Sequence, residues 1–290
     1  MSACGLTGGC GRDTIRVMPL PLSIATVCKN NRETMTRVLE SVEGLGAEIV
    51  ALDSGSTDGT LELLADAGAR VIETQWKGHI ATKQLALEAC ERAWILHLDS
   101  DEPVEPDLAE AIGDFVERDD DTIAGARVNR KIWYRGRFLN HVWQPEWRLR
   151  LVRKRDVESG KARWGGMDPH DQLMVDPQAG RIVDLPGTLK HESFESFAEH
   201  LASQLSLSRI AAESMHRAGK RGSRSRLLIS PPGALLKQII FKQGWRDGRA
   251  GWLAAGSAAA GALMKHMILL ELDADSANGD EAPSPDSPTS

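Results

Sequence analysis

An α/β fold on a mainly parallel sheet flanked by helices, Rossmann-like with a C-terminal helical appendage, is what this 290-residue chain predicts. Three observations carry that expectation. Between Leu22 and Val116, strand-like apolar runs alternate with segments of helical period. The apolar run Trp94-Ile95-Leu96-His97-Leu98, rich in Trp, Ile and Leu, suits a central strand covered on both sides. It stops at two carboxylates spaced one residue apart, Asp99 and Asp101, at the strand's carboxyl end, where open sheets bind ligands.

The elements follow in order. Leu22 to Val27 is strand-like, and Lys29-Asn30-Asn31 turns into a helix from Arg32 to Val42, closed by Gly44 and Gly46. Glu48 to Leu52 is a second strand. It runs into Asp53-Ser54-Gly55-Ser56-Thr57-Asp58-Gly59-Thr60, where glycines permit a tight turn and small hydroxyl residues leave room for a ligand. A helix from Leu61 to Ala67 stops at Gly68, and Arg70 to Thr74 is a short strand. The next helix, between Gly78 and Ala93, is expected to present Ala81, Leu85, Ala89 and Ala93 on one face. Leu108, Ala111, Ile112, Phe115 and Val116 mark another amphipathic helix. Arg127 to Arg137 and Trp147 to Arg153 alternate with the period of strands, placing Arg148 and Arg150 on one face, where they could grip phosphates or anionic sugars or simply be solvated. Phe194, Phe197, Ala198, Leu201 and Leu205 begin a helix towards Ala218. Gly219 to Ser225 is a basic linker, and Ala234 to Phe241 and Trp252 to Leu270 are apolar helical stretches around a Gly-rich turn.

With 41% hydrophobic and 26% charged residues the chain is globular, and a net charge of −6 argues against nucleic acid as a partner. The charge is uneven. Arg209 to Lys265 holds 11 Lys and Arg against Glu213 and Asp247, whereas from Glu271 onward there are acids only. Together with the apolar helical stretches, this basic region suits peripheral docking on an anionic membrane face. The alternative is a helix pair packed on the α/β domain or on another subunit. No stretch is expected to be apolar for long enough to cross a bilayer, and Met1 to Arg16 has no signal-peptide pattern. Cys4, Cys10, Cys28 and Cys90 form no C-x-x-C pair, which fits a reduced, cytoplasmic setting.

Two carboxylates as close as Asp99 and Asp101 repel each other unless a cation lies between them or one is protonated. Hard oxygen ligands favour Mg²⁺ or Mn²⁺ held together with substrate phosphates, so Asp99-Ser100-Asp101 reads as half a metal site completed by a diphosphate. The plainer reading is an acidic, solvated turn. Asp53, ending a strand before a Gly-rich turn, can accept hydrogen bonds from a ribose hydroxyl or a nucleobase N–H, or can merely cap the turn. Neither G-x-G-x-x-G nor G-x-x-x-x-G-K-[ST] occurs there, which argues against a dinucleotide cofactor and against a phosphate-cradling hydrolase.

Leu22 to Asn30, the Asp53 to Thr60 turn, Lys83 and Leu98-Asp99-Ser100-Asp101-Glu102 together resemble the amino-terminal half of the family 2 glycosyltransferases, inverting enzymes of GT-A fold that use nucleotide sugars. Arg150-Leu151, His170-Asp171 and Gly244-Trp245-Arg246-Asp247-Gly248 are similar to the branch that includes lipopolysaccharide core glucosyltransferases, so the resemblance covers Leu22 to Leu270. It implies that the first strand and its turn (Thr26, Asn30) and the Asp53-Ser54 step contact the nucleoside, and that Lys83, Asp99, Ser100 and Arg150 lie along the donor. It also implies that Asp99 and Asp101 hold Mg²⁺ or Mn²⁺. The donor would be a UDP-sugar before other nucleoside-diphosphate sugars, and the acceptor a hydroxyl of an envelope glycolipid or saccharide at the inner face of the cytoplasmic membrane.

Inverting transfer needs a base for the acceptor hydroxyl. Asp171 is that candidate, with Asp168 as its rival and His170 orienting the diphosphate or a metal-bound water. The family generally carries His-Glu where this chain has His170-Asp171, a shorter side chain that changes reach. His191 is a further residue able to approach the metal. The domains expected are a flexible extension at 1–21, the GT-A catalytic domain at 22–192, a helical basic region at 193–271 and a disordered acidic tail at 272–290. Two other functions remain open. A sugar-nucleotide pyrophosphorylase should carry a Gly-rich basic loop where this chain has Val27 to Arg32. A catalytically inactive nucleotide-binding scaffold would not need acids at 53, 99, 101 and 171.

Overall fold

The run of Leu, Ile and Val at the start of the ordered chain becomes β1 (Leu22–Cys28), buried along almost its whole length, in a computed structural model that describes residues 20–167 and 170–279. Helix α1 (Arg32–Val42) follows because Met35, Val38, Leu39 and Val42 recur every three or four residues and can all be buried on one side. Then come β2 (Glu48–Asp53), α2 (Thr60–Asp66), β3 (Arg70–Glu73), α3 (His79–Ala89), β4 (Trp94–His97) and α4 (Pro106–Arg118). The second half of the domain supplies β5 (Ile123–Tyr134), β6 (Arg137–Phe138), β7 (Trp147–Arg153), α5 (Lys154–Glu158) and the hairpin β8 (Ala162–Met167) and β9 (His170–Val175). It closes with β10 (Arg181–His191).

The sheet runs in the order β10-β5-β7-β4-β1-β2-β3, with β6 paired to β5. β1, β2, β3 and β4 are mutually parallel, β7 is antiparallel to both its neighbours, and β10 is parallel to β5. The mainly parallel α/β sheet expected from the sequence is therefore present. β1 lies between β2 and β4, so the chain reverses its direction of travel across the sheet at β1, and a crevice opens between the carboxyl ends of β1 and β4.

One face of the sheet packs Leu22, Ile24, Trp94 and Leu96 against Met35 and Val38 of α1 and Leu108 and Ile112 of α4. The other packs Ala25, Val50, Leu52 and Ile95 against Ala86 and Leu87 of α3 and against Trp164 and Leu173 of the β8–β9 hairpin. Trp94 is wholly buried, its indole N–H donating to Asp119 at 3.0 Å and its ring lying beneath the Arg153 guanidinium at 4.1 Å.

Beyond β10, α6 (Phe197–Arg217), α7 (Arg224–Leu236) and α8 (Gly248–Gly279) form the helical appendage. α8 packs on both α6 and α7, and Ala250 and Ala254 share a cluster with Ile132, Tyr134 and Phe194 that ties the appendage to β5.

Four expectations change. α3 buries Thr82, Lys83, Ala86 and Leu87 rather than the Ala81–Ala93 face, because the side turned to the sheet is the one that carries Lys83 to an acid. β4 ends at His97, one residue short of the apolar run, so Asp99 and Asp101 stand on the turn that follows the strand. One helix, over Gly244–Ser276, is long and apolar enough by length and composition to cross a membrane; only a third of its most apolar window is buried. Single charges such as Lys265 interrupt its sequence without shortening its length. α8 also continues beyond Asp273 to Gly279, held by the Arg221–Asp273 ion pair, so the acidic tail begins later than 272. Residues 1–19 and 280–290 lie outside the described residues.

Candidate active site

At the crevice between β1 and β4 a cavity of about 600 Å³ is lined by Cys28 and Lys29 from β1 and its turn, by Asp99, Ser100 and Asp101 after β4, and by His191 at the end of β10. A second cavity, about 610 Å³, is lined by Arg127, Arg130, Trp147, Arg148 and Trp164. Lys83, Asp99 and Asp171 line both. The two cavities meet at these three residues.

Lys83 is the centre of that junction. Its Nζ lies 2.8 Å from Asp99 Oδ1 and 2.8 Å from Asp171 Oδ2, and 4.6 Å from the centroid of the Trp164 ring. The Trp164 backbone N–H is held by Gln84 Oε1 at 2.9 Å, so α3 fixes the β8–β9 hairpin that carries Asp171. The other oxygen of Asp99 accepts from Arg150 Nη2 at 2.8 Å. Arg150 also pairs with the wholly buried Glu102, which pairs in turn with Arg130 at 3.0 Å; Arg130 reaches Glu146 at 2.6 Å, and Glu146 takes Arg148 at 2.6 Å. From Asp171 to Arg148 the charges alternate in sign and sum to zero, which is how so many ionised groups can be withdrawn from water together.

The electrostatics follow from these pairs. Burial alone would push the Asp99 carboxyl up, but the Arg150 guanidinium and the Lys83 ammonium hold it well below the usual carboxylate range. Burial likewise acts against Asp101, and its hydrogen bond to His191, Nε2 to Oδ2 at 3.3 Å, lowers it. His97, wholly buried beneath Asp99, is driven well below the ordinary imidazole value by desolvation and stays neutral. Burial pushes the Cys28 thiol up to about 12, so it lines the first cavity as an unreactive apolar wall.

Of the residues expected from the sequence, Lys83, Asp99, Ser100, Asp101, Arg150 and Asp171 are brought together. Asp53 is fully buried beneath its turn. Its carboxylate accepts from Gly55 N and Ser56 N at 2.8 Å each and from the Ser56 hydroxyl, and these bonds lower a carboxyl that burial would raise. Asn30 is committed to the same turn, its Oδ1 accepting from Thr57 N at 2.8 Å. The buried hydroxyls of Thr26 and Ser54 have no partner among the described residues. His170 pairs with Met167 in the hairpin backbone, and Asp168 lies outside the described residues.

Glu102, Trp164 and His191 complete the cluster. The sequence treats Glu102 as one more acid of a turn. The signal that could have singled it out is the pair of arginine-bearing strands that neighbour each other in the sheet and require buried acids. No group of three or more His, Cys, Asp or Glu placed to hold a metal occurs among the described residues.

The open α/β sheet carries two cavities at its switch point that share Lys83, Asp99 and Asp171, and comparison gives the family. The model of glycosyl transferase family 2 matches residues 23–167. The chain is 31% identical over 257 residues to the lipopolysaccharide core biosynthesis glycosyltransferase LpsC of Rhizobium meliloti, covering 84% of this chain and 90% of that protein. It is 25% identical to an uncharacterized glycosyltransferase of Rickettsia typhi, over 89% of each chain. Among solved structures it is similar to glucosyl-3-phosphoglycerate synthase from Mycobacterium tuberculosis, in complex with Mn²⁺, UDP and glucosyl-3-phosphoglycerate. That match has 18% identity and a TM-score of 0.42, and covers 70% of this chain and 82% of that one. This chain belongs to glycosyl transferase family 2.

Proposed function

We propose that this enzyme transfers a sugar, with inversion at the anomeric carbon, from a nucleoside diphosphate sugar to a hydroxyl of a lipopolysaccharide core acceptor. A UDP-sugar is the first candidate donor. The observation that carries the reading is the meeting of two cavities at Lys83, Asp99 and Asp171. The cavity at the strand ends takes the donor. The arginine-lined cavity takes the acceptor, whose anionic groups suit Arg127 and Arg148. Similarity to LpsC supports the core acceptor, and a glycolipid acceptor would keep the enzyme at the inner face of the cytoplasmic membrane.

Asp171 reaches the junction from the hairpin and is the carboxylate that takes the proton of the acceptor hydroxyl. The hydroxyl oxygen bonds to the anomeric carbon as the bond to the diphosphate oxygen breaks, and the electron pair leaves with the diphosphate. Lys83 holds Asp171 in place, and with Arg150 it sets a fixed positive potential beside the leaving group.

The donor set at the crevice fits a divalent ion with few protein ligands. Asp101 Oδ2 and His191 Nε2 already converge to 3.3 Å on the first cavity, whereas both oxygens of Asp99 are engaged by cations. Asp101 with His191 would hold Mg²⁺ or Mn²⁺, and diphosphate oxygens would complete the shell. When bound, the ion supplies charge neutralisation for the departing diphosphate.

The test is a thermal-shift panel of UDP-, GDP-, ADP- and dTDP-sugars with and without Mn²⁺. One donor should raise the melting temperature in a metal-dependent way by mass action, and the effect should vanish in Asp101→Ala. A donor that binds yet yields no UDP from the wild type with acceptor present would favour a scaffold that only binds nucleotide.

A further inference from the structure

Helix α7 carries no buried residue, and its outward stripe is apolar. Ile229, Pro232, Leu236 and Ile240 follow one another at spacings of three and four and all face away from the chain. Leu228 is 75% exposed and Ile229 69%. Around the turn into α8 the apolar surface continues through Phe241, 80% exposed, and Trp245 and Trp252, 57% and 56% exposed. A contiguous surface of this kind marks a docking face.

Charge says what it docks on. The ion pairs of the appendage, Arg209–Glu213, His216–Asp273 and Arg221–Asp273, leave Arg224, Arg226, Lys237, Arg246 and Arg249 unpaired among the described residues. All five are exposed and flank the apolar surface. Aromatic and aliphatic side chains bordered by unpaired cations complement a layer of anionic headgroups over acyl chains. α8 does not itself cross that layer. His200 Nε2 meets Ser257 Oγ at 3.1 Å and Ser208 donates to the Gly261 carbonyl at 3.2 Å, so α8 is bound along α6, whose exposed Arg209–Glu213 pair would be costly in hydrocarbon.

The docking face has a set orientation. Asp247, in the turn between the two helices, accepts from the backbone N–H groups of Asn140, His141 and Val142 at 3.1, 2.9 and 2.8 Å. Gly244 and Gly251 permit the tight turn this needs, since a Cβ on Gly251 would meet the Gly244 carbonyl oxygen at 1.8 Å. The clamp ties the turn to the loop after β6, and thus to β5, whose Arg127 and Arg130 line the second cavity.

We infer that the α7–α8 hairpin lies in the headgroup layer of an anionic lipid surface, its apolar stripe and turn aromatics in the acyl boundary and its basic residues on lipid phosphates. Asp247 holds the arginine-lined cavity in one orientation to that surface. This surface would serve whichever glycosyl transfer the α/β half performs, and its test involves no turnover.

The test is co-sedimentation of the full chain with vesicles of phosphatidylcholine alone and of phosphatidylcholine mixed with phosphatidylglycerol. The wild type should pellet with the mixed vesicles, much less with phosphatidylcholine, and release as salt rises. The double variant Ile240→Ser, Phe241→Ser should keep its circular dichroism and melting temperature yet bind about tenfold or more weakly, as expected for losing two large apolar side chains from the boundary. Arg224→Glu with Arg226→Glu should weaken binding to the mixed vesicles alone. Wild type that stays in the supernatant, or folded variants that pellet as well as wild type, would overturn the inference. So would a dimer by analytical ultracentrifugation that the Ile240→Ser, Phe241→Ser variant converts to monomer, since the face would then belong to a second copy.

Discussion

Glu102, beneath the carboxyl edge of the sheet, is wholly buried and ion-paired to Arg130 and Arg150, whereas Phe241, at the turn of the α7–α8 hairpin, is 80% exposed. In the α/β half, polar groups are taken from water and matched to one another; in the hairpin, apolar groups are left in water. Each arrangement costs free energy in an isolated chain. The first is repaid within the fold by alternating charges, so it reports on internal organisation; the second can be repaid only by something outside it. In the proposals above, buried charge locates the chemistry of this molecule and exposed apolar surface its attachment.

The contrast is broken most severely at Glu102. Glu102→Gln leaves two arginines facing an uncharged amide and should lower unfolding free energy by about 3–5 kcal/mol, the usual cost of removing one partner of a buried pair, measured by urea denaturation. A loss below about 1 kcal/mol would mean that water already screens the ladder.

A smaller effect is expected at Asp247, where the two regions join. Asp247→Asn should cost about 1.5–3 kcal/mol, the range for hydrogen bonds to a charged group. Burial pushes this carboxyl up, but the His141 ring and the backbone N–H groups of Val142, His141 and Asn140 lower it overall. A depressed folded value contributes stability that is fully present above the unfolded value, about 3.9 for Asp, and is lost as pH falls through the folded one. The melting-temperature gap between wild type and Asp247→Asn should therefore be constant near neutrality and close as pH drops below about 4. A gap that widened in acid would refute the clamp.

The smallest change is expected on the outer face. Leu228→Ser should alter stability by no more than about 0.5 kcal/mol, as for surface positions generally. A loss of several kcal/mol would show that the stripe is covered within the fold.

The same division explains what could be read in the sequence. Order and type of the elements from β1 to α4 followed from periodicity and glycine placement, and Asp99, Asp101, Lys83 and Asp171 were all singled out. The pairing of Lys83 with both Asp99 and Asp171 was not legible, because it depends on how α3 meets a hairpin 88 positions away. The buried face of α3 was misjudged for the same reason: its alanines marked an apolar side, and a lysine needed at an acid outweighed it. Asp53 was legible as a special acid, yet its burial under Gly55 and Ser56 makes it a builder of the turn in this structure.

The transfer site proposed at the junction of the two cavities is tested most directly by Asp171→Asn, with donor affinity measured by calorimetry in Mn²⁺ and nucleoside diphosphate release measured in parallel with acceptor present. A carboxylate needed to take the acceptor proton predicts a donor Kd changed far less than the release rate, which falls by about 10²–10⁴-fold. Release at the wild-type rate, or a loss accounted for wholly by weaker donor binding, would contradict it.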